Sequence, residues 1–564
     1  MLAWIDSLES QRPDAAVTVS QMLHQANRTA PHRKTSQHDF ANTQFDCNDG
    51  RLLASGAHKD GAFSMDGIHI AFKRSPVKAA IAFSGLSLVT GCASVVNEGK
   101  MTGFSDSWSQ ADYTAASQSF SDVDIPTATK NDVENLELFD ALHVAEAARL
   151  QGKPRVAVWA YDATERHFKR FDLESLASSA ASQASAVLLN DNVMTYRGYL
   201  YEAVLANTYK GIAFLEMGEA SNARVEFNRA AERSRRGTYY FRESIEEQRA
   251  ALEQEADDNQ TRVVNASLRD SDTQTAIREA YGSPSQWAIY ADFVNPFATY
   301  MHGLFRLATA TSSTEYEQAV PLFERVAGVS STPTVLEDLV LAEALAAGRV
   351  SADDREPLVW VVFDNGVGPR LRETRIDLPL AGIGDGSVSY AGIALPSITD
   401  GRPLPGITVD AGNTRFKTRE LASMKRVMNT EFQARLDGIL LRSMTSAVVK
   451  MAGQAAAEEE YGAMGGLVAG IASAATTQAD LRVWRALPAR WETVRFKRPE
   501  DGSIVLKGLQ PSPIRVSLPN WPMAMVYVRQ TGPDAPATVR VVDLSGRHDA
   551  VSATGLKIAQ GAAE

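Results

Sequence analysis

Apolar residues recur every three or four positions from Asn131 to about Gly348, the period of helices that bury one face. At Pro357 the period changes. Leu358 to Phe363 is a continuous apolar run, Asp364-Asn365-Gly366 and Gly368-Pro369 are turn signals, and Arg375 to Leu378 returns as a second β-like piece. That order predicts a hairpin. Further strand-like pieces follow at Val388 to Leu395 and Ile407 to Val409. Helical spacing then resumes over Thr418 to Ala452, with Leu421, Met424, Met428, Phe432, Leu436, Leu440, Met444 and Val448 on one stripe. An acidic turn at Glu458 to Glu460 and a second helix over Gly462 to Arg485 would complete a helical hairpin at about 418–485. The chain ends in strands at Trp491 to Phe496, Ser503 to Leu506, Ile514 to Leu518, Met523 to Arg529 and Thr538 to Asp543. The expected class is α+β and multidomain: a helical region at 131–350, then a β-rich domain at 357–564 into which the helical hairpin is inserted.

Within the helical region, VLANTYKGIAFLEMGEASNARVEFNRAA (Val204 to Ala231) resembles a tetratricopeptide repeat. Gly211 stands where the first helix needs a small residue, Phe214 at the aromatic position, and Gly218 where that helix ends. Ala220, Ala223, Phe227 and Ala230 fall on the face of the second helix that packs back. Arg235 departs from the pattern, which usually ends in Pro. Sixty-six residues upstream, Ala145, Ala148, Gly152, Ala157 and Tyr161 keep the same offsets, close to two lengths of about 34 residues. Downstream, Gly303, Ala319 and Phe323 fit once four residues, Ser312 to Glu315, are placed in the turn. The resemblance implies a solenoid of stacked helical hairpins, an architecture that presents an extended groove. Between the second and third matches, Tyr239 to Gly282 is expected to be a long solvated helix followed by a loop.

Ahead of all this lies KRSPVKAAIAFSGLSLVTGCA (Lys73 to Ala93). Lys73, Arg74 and Lys78 are cationic, and Ala79 to Val89 is an apolar run of eleven residues, short of the roughly 20 that span a bilayer. Val89-Thr90-Gly91-Cys92 closes the stretch. It resembles a bacterial lipoprotein signal peptide. That resemblance implies cleavage between Gly91 and Cys92, lipid attachment at Cys92, and, with Ala93 next, sorting to the outer membrane. Residues 65–91 are then the signal peptide and 92–130 a polar tether in which Phe104, Trp108, Tyr113 and Phe120 are candidates to dock. Residues 1–64, polar and aperiodic, are taken as an upstream extension or disordered leader, with translation starting at Met65.

Composition narrows the function classes. A formal net charge of −11 opposes nucleic-acid binding, which needs a basic face. From Cys92 onward the chain is too long for one core, so two or three domains are expected. With Cys92 acylated and Cys47 upstream, no cysteine pair remains for a disulfide. His143, His167, His302 and His548 follow Cys92 without HExxH or Cys spacing. GxSxG and GxxxxGK[ST] are absent, the SxxK of Ser75 to Lys78 lies in the leader, and Gly382, Gly384 and Gly386 lack phosphate-loop spacing. No catalytic residue, metal ligand or cofactor is assigned.

The lipobox, the repeats with NPFATYMHGLF (Asn295 to Phe305), VVFDNGVGP (Val361 to Pro369) and ADLRVWRALPARWETVRF (Ala479 to Phe496) together resemble a family of bacterial lipoproteins of uncharacterised activity, with tetratricopeptide-like repeats and a C-terminal β-rich domain. The resemblance implies an outer-membrane lipoprotein of a Gram-negative bacterium, facing the periplasm. It would be held to the membrane by its lipid and act as a scaffold for a protein or peptide partner in envelope assembly. An enzyme acting on envelope polymers and a structural spacer are the alternatives. Gly462, Gly466 and Gly470 recur every fourth residue, a stripe that allows close backbone approach. Three uses of it stay open: packing on the stripe of Thr418 to Ala452, self-association, and partial membrane insertion.

Overall fold

The computed structural model describes residues 99–177, 195–255, 258–291, 294–351, 356–380, 389–476 and 478–553. They belong to one compact unit, Ser75–Glu564. Gly91, Cys92 and the leader lie outside the described residues.

Helix α1 covers 99–109. It belongs to the core, a correction to the expectation that the tether reaches residue 130. Phe104 and Trp108 are buried and stack at 5.1 Å, and Phe104 meets His143 edge-on at 4.6 Å. Aromatic area of this size outweighs the polar composition around it. Helices α2 (Leu138–Leu150) and α3 (Pro154–Ala177) follow, then α4 (Leu200–Glu216) and α5 (Ala220–Glu255). Gly152 and Gly218, at φ 76° and 67°, supply the left-handed residues that end α2 and α4. The loop expected near Gly282 is instead helical: α6 (Asp258–Arg269) and α7 (Ser271–Tyr281), the second capped by Asp270. Helix α8 (Pro296–Thr309) begins with Asn295 as cap and Pro296 in its first turn. Helices α9 (Val320–Ala327) and α10 (Pro333–Ala346) complete the stack.

The strands are β1 (Leu358–Asn365), β2 (Leu371–Leu380), β3 (Ser389–Ile398), β4 (Thr408–Ala411), β5 (Thr414–Lys417), β6 (Arg419–Ser423), β7 (Arg490–Lys497), β8 (Ser503–Lys507), β9 (Ile514–Ser517), β10 (Met523–Gln530), β11 (Thr538–Asp543) and β12 (Val551–Ser552). Among the described residues they form a six-stranded sheet of order β12-β11-β10-β1-β7-β6, a four-stranded sheet β5-β4-β8-β9 and the pair β2-β3. The hairpin expected between β1 and the strand after it does not form. β1 lies parallel to β10, with Val361 opposite Val526, and antiparallel to β7, with Val361 opposite Val494. β2 pairs with β3 instead. After Gly366 (φ 72°) the chain bridges sideways, Val367 to Arg402.

The expected helical hairpin at 418–485 is also corrected. Its first residues are strand β6, and Met424–Thr476 is one continuous helix, α11, of 53 residues, about 80 Å long. The acidic run Glu458 to Glu460 lies inside that helix, where Glu is a good former and gives the backbone no reason to turn. Gly462, Gly466 and Gly470 lie in the same span, and their side-chain surroundings are outside the described residues.

Alternation along the strands builds the layers. Trp360 and Val362 of β1, with Met523, Met525 and Tyr527 of β10, join the helices in one core. Val359, Val361 and Phe363, with Ala524, Val526 and Val528, face the four-stranded sheet and meet Val409, Leu506 and Val516 in a second core. The six-stranded sheet is thus a middle layer. The α+β class stands, while the break expected at 350–357 separates no two cores: helices and sheet share one. Glu431 of α11 adds a tie, accepting the Leu200 and Tyr201 backbone N–H groups at 3.0 Å each and so capping α4.

Candidate functional site

The residues singled out by the repeat pattern lie in the helix stack. A Cβ on Gly211 would sit 3.0 Å from the Phe227 ring, and one on Gly303 would sit 3.0 Å from the Phe323 ring. Both glycines therefore let an aromatic ring of the next helix lie against their backbone. Ala145, Ala157 and Ala223 are fully buried, Phe214 nearly so, and Ala230 joins Val204 and Ala298 in a small satellite cluster. Ala319 is the residue that caps α9 and is not within a long second helix, because the inserted stretch from Ser312 starts a separate short helix, Ser313–Glu317, capped by Ser312.

Where the stack meets the sheet, charged and phenolic groups converge. Arg149, 0% exposed, donates to Glu146 at 2.9 and 2.7 Å, to Glu216 at 3.1 Å and to the Tyr527 hydroxyl. Its guanidinium lies 4.3 Å from the Tyr527 ring centre and 5.0 Å from that of Tyr209. Tyr161 donates to Glu146 at 2.9 Å. Tyr209 and Tyr527 donate to the same Asp364 oxygen at 2.6 and 2.7 Å, and Trp491 donates to Tyr209 at 3.1 Å. Asp364 thus sits at the end of β1 as the acceptor of a chain of bonds running from α2 through β10 to α4. Burial pushes its carboxyl up to about 6, against the pull of Arg529 and the two phenols.

Raised carboxylates collect at active sites, and this one must be weighed on access. The groups of the network are buried, and their partners come from α2, α3, α4, β1, β7 and β10. A general acid has to lie within hydrogen-bond reach of a substrate; Asp364 Oδ2 is taken by Tyr209 and Tyr527, and Oδ1, without a hydrogen-bond partner among the described residues, is buried with the rest of the side chain. The network locks helices to sheet. Asp364 and Asn365 read as turn residues from sequence because their partners lie far along the chain: Asn365 donates to Glu492 at 2.8 Å and to the Leu404 carbonyl at 2.9 Å.

This lock has a consequence for binding. α4, the helix at the centre of the quoted repeat, is buried from Tyr201 to Glu216, so no groove along it is open to a partner. Among the described residues the two most exposed large apolar side chains lie at the end of the stack. On α10, Val335, Asp338, Ala342 and Leu345 face inward, and Asp338 accepts from Tyr300 at 2.5 Å, Trp360 at 3.1 Å and Arg495 at 2.8 Å. The opposite side carries Leu336 and Val340, 50% and 62% exposed, one turn apart. Sequence reasoning passed over this helix. Its signal was present: in PTVLEDLVLAEALA large apolar residues fall outside the buried face as well, Leu336 and Val340 beside Glu337 and Glu343, more than one buried face requires.

Among the described residues no group of three or more His, Cys, Asp or Glu side chains is placed to hold a metal ion. No helix among them is long and apolar enough to cross a membrane. Comparison with protein-family models, curated proteins and solved structures gave no match.

Proposed function

We propose that this chain is a lipid-anchored envelope lipoprotein that acts as a protein-interaction scaffold, held to the outer membrane through Cys92 and engaging a protein or peptide partner through the outer face of α10. The observation that carries the interaction half is the pair Leu336 and Val340, large apolar side chains at least half exposed on the last helix of a helix stack. Helix stacks end in polar faces when nothing covers them. Support for the anchor is the resemblance of Lys73 to Cys92 to a lipoprotein leader. The partner surface shifts from the groove of a solenoid to its end, because the sheet occupies the inner side of α4.

A photo-crosslinking residue at Val340 of the chain expressed in its own cells tests the interaction. A discrete adduct of higher mass, abolished by Leu336→Asp, is expected. An adduct pattern no different from that of a probe at Asp501, an exposed loop position, would refute it. An adduct of twice the chain mass would transfer the face to self-association, for which the glycine stripe is the other candidate.

A further inference from the structure

Away from that face, two cationic groups meet with no ion pair between them and any carboxylate of the described residues. Arg224 of α5 and Arg306 of α8 lie on neighbouring helices, each half-buried. Arg306 is held by neutral acceptors: its Nε donates to His302 Nε2 at 3.2 Å, Nη1 to Gln318 at 2.8 Å and Nη2 to Asn228 at 2.9 Å. Arg224 lies 5.6 Å from the Phe305 ring centre. Among the described residues neither guanidinium has a carboxylate within salt-bridge distance. Arg149, Arg233 and Arg495, also buried or half-buried, each have one at 2.7 or 2.8 Å. Glu315, an acid coupled to both arginines, turns its carboxylate to the Thr311 N–H and hydroxyl at 2.6 and 2.9 Å.

The electrostatics agree with the geometry. Burial and the neighbouring Arg224 both push the Arg306 guanidinium below its usual value. The same surroundings, burial first and then Arg306 and Arg224, push His302 down to about 4, so the ring is neutral at physiological pH. Because Nε2 accepts from Arg306, the ring proton sits on Nδ1. That N–H, on a side chain only 7% exposed, has no hydrogen-bond partner. Two guanidiniums are thus held on neighbouring helices with Glu315 acting on them only from beyond salt-bridge distance, and keeping like charges together is unfavourable.

We propose that Arg224 and Arg306 form a binding site for an oxyanion, the carboxylate or phosphate group of a ligand. The planar guanidinium fork matches two oxygens of either group. Arg306 is already fixed by its three neutral acceptors, so little order is lost when the anion arrives.

The test is thermal unfolding of the soluble chain at constant ionic strength, with sodium phosphate and sodium succinate titrated in separate arms against sodium chloride. At least one arm is expected to raise the melting temperature in proportion to the logarithm of its concentration; which one does identifies the source as phosphate or carboxylate. Arg224→Gln removes a side chain that makes no hydrogen bond among the described residues, and is expected to weaken that binding about tenfold or more. Arg229→Gln removes an equal charge from the same helix, one already paired to Glu226 at 2.7 Å, and should leave binding unchanged. No shift in either arm, or equal weakening by both substitutions, overturns the site.

Discussion

Arg149→Met is the sharpest test of the lock between helices and sheet. Met retains much of the apolar volume and removes the charge. Two carboxylates would be left behind: Glu146, bonded to Arg149 twice at 2.9 and 2.7 Å, and Glu216, bonded once at 3.1 Å, both nearly inaccessible. Removing one partner of a buried ion pair costs about 3–5 kcal/mol, because the remaining charge stays desolvated. Tyr527 would lose a donor to its hydroxyl, at a further ~1 kcal/mol. Against a total stability of about 5–15 kcal/mol, the variant should unfold at much lower urea. The cost should also depend on pH. Stranded carboxylates escape the penalty by protonation, so the deficit at pH 8 should shrink toward pH 5. Arg149→Met combined with Glu146→Gln and Glu216→Gln should recover most of the loss, since no charge is then left unpaired. Urea midpoints followed by tryptophan fluorescence report the effect. A single variant within ~1 kcal/mol of the parent at pH 8 would show that the network contributes nothing to holding the layers together.

Buried carboxyls predict the pH profile of the parent. Burial raises Asp364 and Asp338 to about 6 and Glu202 to about 7; in the unfolded chain these groups titrate near 4. The folded state therefore binds more protons, so stability should rise as pH falls from about 8 toward 5, and Asp364→Asn should flatten that slope in urea titrations; a slope unchanged in the variant counts against the assignment. Ala223 is fully buried beside the Gly211–Phe227 contact, and Ala223→Leu should cost about 1–3 kcal/mol by overpacking; a melt identical to the parent's would mean the helices there have room to spare. Glu459→Pro should cost ~3 kcal/mol or more if α11 is continuous through that position, whereas circular dichroism and melting unchanged from the parent would restore the turn. Cys92→Ser should leave an unprocessed precursor without fatty-acid label, and N-terminal mass spectrometry showing an unlipidated mature chain starting near Met1 would remove the anchor from the proposal.

Local contacts were legible in the sequence, and distant ones were not. The Gly211–Phe227 and Gly303–Phe323 pairs could be read because their members are close in the chain and belong to successive helices. β5 (TRFK), β6 (RELAS) and β12 (VS) are too polar or too short to show, but most strands of the C-terminal half were visible as apolar runs. Their pairing was not, because Val361 could as well face Arg375 nearby as Val526, 165 positions on. Asp364 and Asn365 misled for the same reason: their composition is that of a turn, while their side chains serve Tyr209, Tyr527 and Glu492. The acidic run in α11 was read as a turn on charge alone, although Glu is compatible with a helix interior. The cluster at Arg224 and Arg306 left no trace in sequence, since its members are 82 residues apart and belong to different hairpins.

The placement of β1 between β10 and β7 governs the order in which the molecule can be completed. Synthesis runs from the N-terminus, so the helix stack and β1 emerge before either neighbour of β1 exists. Arg149 then waits 378 residues for Tyr527, with α4 and the Trp360 face open to solvent meanwhile. Long loop closures of this kind slow folding and leave apolar surface exposed in the interim. A fragment ending before Met523 cannot be cut out as a working repeat module. It would carry an open strand edge along β1 and an Arg149 without its Tyr527 partner.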